Sequence, residues 1–311
     1  MKIEFNILSA FFALVIFTSC EKEYTPAKPE GGPKYVVEGY IEAGDNPFPP
    51  YIILTKTFDF YGTLNPDQFT GSFVHDADVR VKDGNLEVVF QEICFSDLTP
   101  EIRKEVAAQF GFDSDSLAID YCVYLDVLGQ LHPQQDKSYD LTIVTEGHTI
   151  TATTYIPDQV PLDSLHFEAP PGKPNDTLAQ LRCRISDPAG VRNFYRYFGS
   201  TNGGPLKTAF SSVTEDLFFD GKSFEFQLFN PVTTDRGVEP NEFGLYIVGD
   251  TATIKWCTMD EAHFDFWNTL EFSNSNQGPF SSYTRLQSNI HGGLGIWGGY
   301  NVSYYTRKVA Y

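Results

Sequence analysis

The chain has 311 residues, of which 41% are hydrophobic and 15% aromatic, and a formal charge of −19. That length and apolar content support packed cores and argue against intrinsic disorder. The acidic surplus repels phosphate backbones and anionic headgroups, which argues against nucleic acid as a partner and leaves solubility as its ordinary meaning.

Residues 7–17, ILSAFFALVIF, are uncharged and of signal-peptide length, too short for a permanent membrane-spanning helix. Phe17-Thr18-Ser19-Cys20 follows where an Ala-x-Ala cleavage site is absent, and it resembles a bacterial lipobox. Residues 1–19 are therefore expected to be a lipoprotein signal peptide and Cys20 the lipidated first residue of the mature chain. Acyl chains such as palmitate, at about 0.8 kcal/mol per buried methylene, would anchor a soluble body without a transmembrane segment. Residues 20–34 supply the anchor and a tether rich in Pro and Gly.

From Tyr35 the pattern turns strand-like. VVEGYIE, YIILTKTF, ADVRVKDGNLEVVF, IDYCVYLDV and YDLTIVTEGHTITATTYIP alternate or run β-branched, with turn signals at Asp83-Gly84 and Glu146-Gly147. This predicts an N-terminal Ig-like or transthyretin-like β-sandwich over residues 35–158. A short helical insertion, opened by Thr99-Pro100 and stopped by Gly111, separates Cys94 from Cys122. A Cys94–Cys122 bridge would close that excursion at its base. Cys183 and Cys257 are then either a second bridge or two thiols buried in strands. Pro157 and Pro161 mark a boundary, and residues 159–311 resume as a second β-rich domain. One helix interrupts it over 259–272, with Thr258 and Glu261 as a capping box and Met259, His263, Phe266, Trp267 and Leu270 on its apolar face.

VVEGYIE, DADVRVKDG, TATTYIPDQVPLDSL, ISDPAGVRNFYRY, GDTATIKW, HFDFWNTLEF and SNIHGGLGIWGGY occur in an order that resembles the Bacteroidota lipoprotein family catalogued as domain-of-unknown-function family 4249. The likeness spans residues 35–305. Glu21-Lys22-Glu23 after Cys20 also resembles the surface-export tag of such lipoproteins. The resemblance implies an outer-membrane anchored protein, facing the cell surface or the periplasm, that assists a TonB-dependent receptor. It brings no catalytic residues and no cofactor to these positions.

The chemistry-bearing motifs are few. SNIHGGLGIWGGY offers His291, Trp297 and Tyr300 as a candidate ligand or partner loop, or as a structural segment whose glycines allow the aromatics into the core. His263 on an apolar helix face reads as a core histidine bonded to a carbonyl. Asp113, Asp115 and Asp120 lack the alternating oxygen donors of a calcium loop, and no cysteine–histidine spacing suggests zinc, so no metal is expected. The leading expectation is a non-enzymatic accessory lipoprotein; the alternative is an extracellular glycan- or peptide-binding module or hydrolase. If Cys20 carries the anchor, Cys20→Ser should move the protein from the membrane to the soluble fraction with its circular dichroism unchanged. Retention of the variant in the outer-membrane fraction would refute the anchor.

Overall fold

A computed structural model describes residues 32–58, 66–109, 119–172, 176–235, 239, 242–275 and 285–311. The expected signal segment and Cys20 lie outside the described residues, as do Asp113 and Asp115. In chain order the elements begin with β1 (Tyr35–Gly44), β2 (Tyr51–Lys56), α1 (Pro66–Thr70), β3 (Asp78–Lys82), β4 (Glu87–Cys94) and α2 (Pro100–Gln109). There follow β5 (Cys122–Leu125), β6 (Lys137–Thr145), β7 (His148–Ile156), β8 (Leu162–Glu168), β9 (Leu178–Ser186) and β10 (Phe194–Thr201). The chain ends with β11 (Lys207–Glu215), β12 (Ser223–Leu228), β13 (Tyr246–Ile247), β14 (Thr251–Met259), α3 (Glu261–Ser275) and β15 (Leu294–Lys308). The protein is mainly β, as its β-branched and aromatic alternation predicts. Among the described residues no helix is long and apolar enough to cross a membrane.

Eleven strands share one sheet in the order β11-β10-β14-β15-β1-β2-β5-β4-β3-β6-β7. Its pairings are antiparallel except that of β1 with β15, which is parallel and runs from Val36 opposite Leu294 to Gly44 opposite Val302. In a smaller sheet β9 pairs with β8, β12 and β13.

The large sheet turns back so that β7 meets β15: Thr151 bridges His291, and the Gly299 N–H donates to the Thr154 hydroxyl at 2.7 Å. Between these layers Val37, Ile41, Val81, Leu141, Ile143 and Ile150 enclose Trp297, forming a β-sandwich core from the first seven strands and the last. The Trp297 indole N–H donates to the Tyr139 carbonyl at 3.0 Å, so its one polar group is satisfied. A second core forms where Leu181, Cys183 and Ile185 of the small sheet meet Tyr195, Tyr197, Ile254 and Trp256 of the large one. A third lies on the opposite face of the large sheet, where Phe264 of α3 covers Cys257, Met259, Ile296 and Val302. The expected boundary at 158/159 falls between β7 and β8. Because β15 lends Trp297 to the first core and Tyr305 to the edge of the second, Pro33–Tyr311 is one compact unit.

Cys94 and Cys122 sit opposite each other on β4 and β5 and form a disulfide that spans the α2 excursion. Cys183 and Cys257 are free buried thiols, so the second bridge does not form. The reason is strand alternation: Trp256 faces the core that holds Cys183, and its neighbour Cys257 faces the other side of the sheet. The helix also differs from expectation. Pairing of β14 continues through Thr258 and Met259, so α3 starts at Glu261 and its N-cap is Asp260, whose carboxylate accepts from the His263 N–H at 2.8 Å. The Thr258 hydroxyl instead accepts from the Val160 N–H.

Gly295 holds φ +106°, and a Cβ there would stand 1.9 Å from the Val37 carbonyl oxygen. Gly295→Ala therefore collides with the parallel β1–β15 ladder. Urea denaturation should show a loss of about 2–4 kcal/mol.

Candidate functional site

A strand shows alternate residues to each face. Across the five neighbouring strands β10, β14, β15, β1 and β2, the face that carries α3 bears charge where a core would be apolar. β1 contributes Glu38, Tyr40 and Glu42; β10 contributes Arg196 and Phe198; β14 contributes Lys255; β15 contributes Tyr300 and Tyr304; and β2 contributes Tyr51. With Trp267 of α3 and the loops 46–49 and 203–206, these side chains line a cleft of about 850 Å³. That volume suits a small organic ligand.

Two contacts place Trp267 at the cleft. The second oxygen of the Asp260 carboxylate accepts from the Tyr155 N–H at 2.8 Å and from the Thr154 hydroxyl at 3.0 Å, tying the start of α3 to β7. One turn on, the His263 ring lies against Gly298, where any Cβ would stand about 2.3 Å from the ring. Its Nδ1 is 3.2 Å from the Gly299 carbonyl, and burial, aided by the charge of Arg196, pushes the imidazole down to about 3. His263 is thus a neutral core group that fixes the helix, with the carbonyl as its partner.

The cleft floor holds two cations in contrasting states. The Lys255 ammonium bonds the Glu42 carboxylate at 2.5 Å, with side-chain exposures of 10% and 7%. Glu42 also accepts from the Phe48 N–H at 2.9 Å, which tethers the 46–49 loop. Burial opposes the Lys255 charge, but Glu42, Cys257 and Tyr304 together outweigh it and hold the amine above the usual lysine range. Arg196, 4% exposed, forms no ion pair among the described residues. Its Nε donates to the Ser212 hydroxyl at 3.0 Å and its Nη1 to the Tyr300 hydroxyl at 2.8 Å. The guanidinium stacks on Trp267 at 3.5 Å from the ring centre, with Phe198 at 4.8 Å. Glu38 accepts from the Tyr40 hydroxyl at 3.1 Å. Desolvation raises its pKa, against the opposing pull of Tyr40 and Arg196.

The residues singled out from the glycine-rich motif do not form a loop. Trp297 is buried in the sandwich core and Tyr300 lies on the opposite face, in the cleft, because both belong to β15 at odd and even positions. His291 is exposed and engaged through its backbone with Thr151. Arg196, Lys255, Glu38 and Glu42 belong to no local motif, although each interrupts a strand otherwise rich in apolar and aromatic residues. Elsewhere, Asp187, Asp216 and Asp220 bring oxygens within 4.8 Å of one another. Their oxygens accept from the Tyr195 hydroxyl and from the N–H groups of Asn193 and Gly190, which close the surrounding turns.

The family described as "Domain of unknown function (DUF4249)" matches residues 21–306. No curated protein and no solved structure matches the chain.

Two outcomes follow from the geometry. Lys255→Met strands Glu42 in a buried position and should cost about 3–5 kcal/mol in urea denaturation, while Lys255→Met combined with Glu42→Leu should recover much of it. His263 has a folded pKa below its unfolded value near 6.5, so it favours the folded state fully above pH 6.5 and that contribution fades as pH falls towards 3. Wild type should lose up to about 1.4 kcal/mol per pH unit in this window relative to His263→Gln, measured by denaturation at a series of pH values.

Proposed function

We propose that this chain, which belongs to the DUF4249 family, is a non-enzymatic lipoprotein that binds a small extracellular ligand in the cleft beneath α3 and acts beside a TonB-dependent receptor at the outer membrane. The observation that carries the binding role is the cleft itself, walled by the rings of Trp267, Phe198, Tyr40, Tyr51 and Tyr300 and holding a nearly buried Arg196 that forms no ion pair among the described residues. A fold needs no such arrangement: a buried cation costs stability unless an opposite charge meets it. Concave aromatic walls with a few fixed polar groups are the ordinary build of a ligand site. The anchor and the receptor partnership are supported by the Cys20 motif and by the order of family-like segments, and the acidic body suits a soluble domain held off a membrane.

The binding role is tested through Trp267, the one of three tryptophans that lines the cleft; Trp256 and Trp297 are fully buried. A panel of amino acids, short peptides and simple sugars should include members that change indole fluorescence in wild type and not in Trp267→Phe. Silence across the panel would remove the cleft as a ligand site. Purification from native membranes in mild detergent should bring down a TonB-dependent receptor. Repeated recovery of the chain alone would remove the partnership.

A further inference from the structure

We infer, on the ligand-binding reading above, that the cleft receives a carboxylate monoanion on the Arg196 guanidinium, with an apolar or aromatic part of the same ligand against the neighbouring rings. A guanidinium carries five N–H donors in a planar fork. In Arg196 the Nε edge is taken by Ser212 and one Nη1 donor by Tyr300, both neutral hydroxyls. Nη2 has no hydrogen-bond partner among the described residues. Trp267 covers one ring-like surface of the group, so the donors that remain lie in its plane, where a planar carboxylate meets a guanidinium best.

The charges around it select the ligand further. Lys255 is committed to Glu42, and the Glu271 carboxylate is held by the Ser212 N–H at 3.0 Å and by the Ser212 hydroxyl. Arg196 is therefore the cation in the cleft left to compensate an incoming charge. Glu38 faces the same space, and Glu38 and Glu271 both already interact electrostatically with Arg196, so a second negative charge on the ligand would meet repulsion. One positive charge with an acid beside it suits a singly charged carboxylate better than a phosphate dianion. Tyr40, Tyr51, Phe48 and Phe198 supply apolar surface next to the fork. The chemical class is an organic acid with a hydrophobic portion, a peptide C-terminus being one form of it.

The test uses the full chain and a panel of carboxylates, from 3-phenylpropionate to N-acetylated dipeptides, each paired with its primary amide, plus phenyl phosphate. Binding is read by Trp267 fluorescence and ligand-observed NMR. Carboxylates should bind at least about tenfold more tightly than their amides, a difference of about 1.4 kcal/mol. Arg196→Gln should abolish that preference, provided its thermal melt matches wild type. Glu38→Gln, at an accessible position that leaves the fold unthreatened, should strengthen carboxylate binding several-fold and leave the amides unchanged. Acids and amides binding equally at Trp267 would overturn the anion assignment while leaving the cleft a ligand site. Preference for phenyl phosphate, or no response to Glu38→Gln, would also overturn it. A panel in which neither acids nor amides reach Trp267 would overturn this assignment and the binding role together.

Discussion

The parallel pairing of β1 with β15 is the constraint on which the rest of the molecule depends. It joins the strands that lead to the sandwich core with those that meet the small sheet, and it does so in mid-sheet, where both faces are used. On one face β1 and β15 give Val37, Ile41 and Trp297 to the first core. On the other they set Glu38, Tyr40 and Glu42 beside Tyr300 and Tyr304. The same ladder therefore builds a dry interior and a polar cleft. A parallel pair evenly spaces its hydrogen bonds but gains slightly less per residue than an antiparallel one. Here nine residue pairs in register compensate through length.

Glycine makes that ladder possible at two points. Gly295 accepts a backbone conformation that side chains resist, and Gly298 leaves room for the His263 ring. His263 and Asp260 then set the helix, and the helix sets Trp267 over Arg196. The chain of contacts is short: carbonyl to imidazole, carboxylate to N–H, π-face to guanidinium, with the His263 Nε2 and the Trp267 Nε1 buried without a partner among the described residues. The cation at its end bonds, among the described residues, to neutral hydroxyls alone.

The β-rich class, the strand segments, the disulfide candidate and the existence of one C-terminal helix were legible because each leaves a local signal: period-two alternation, turn pairs, cysteine placement, period-3.6 apolarity. The helix start was misplaced because Thr258 and Glu261 satisfy a local capping rule, whereas tertiary pairing of β14 keeps Thr258 extended. The site was illegible for a related reason. Arg196, Lys255, Glu38 and Glu42 come from strands far apart in sequence, and only the sheet order makes them neighbours. The glycine-rich segment, conspicuous in sequence, turned out to serve the close packing of β15, and of its three candidate residues only Tyr300 faces the cleft.

The meeting of the first and last strands also governs when the protein can become native during synthesis. Domains commonly fold from the N-terminus as they emerge. Here the first core lacks Ile290 and Trp297, and β1, already paired with β2, lacks its second neighbour, until residues 290–308 have been synthesised. The nascent chain thus lacks its closing strand while β1 to β14 are made, and Val37 and Ile41 wait for Trp297 to complete their packing. Closure of the first core around Trp297 is therefore a late event, set by the topology that brings β15 back against β1.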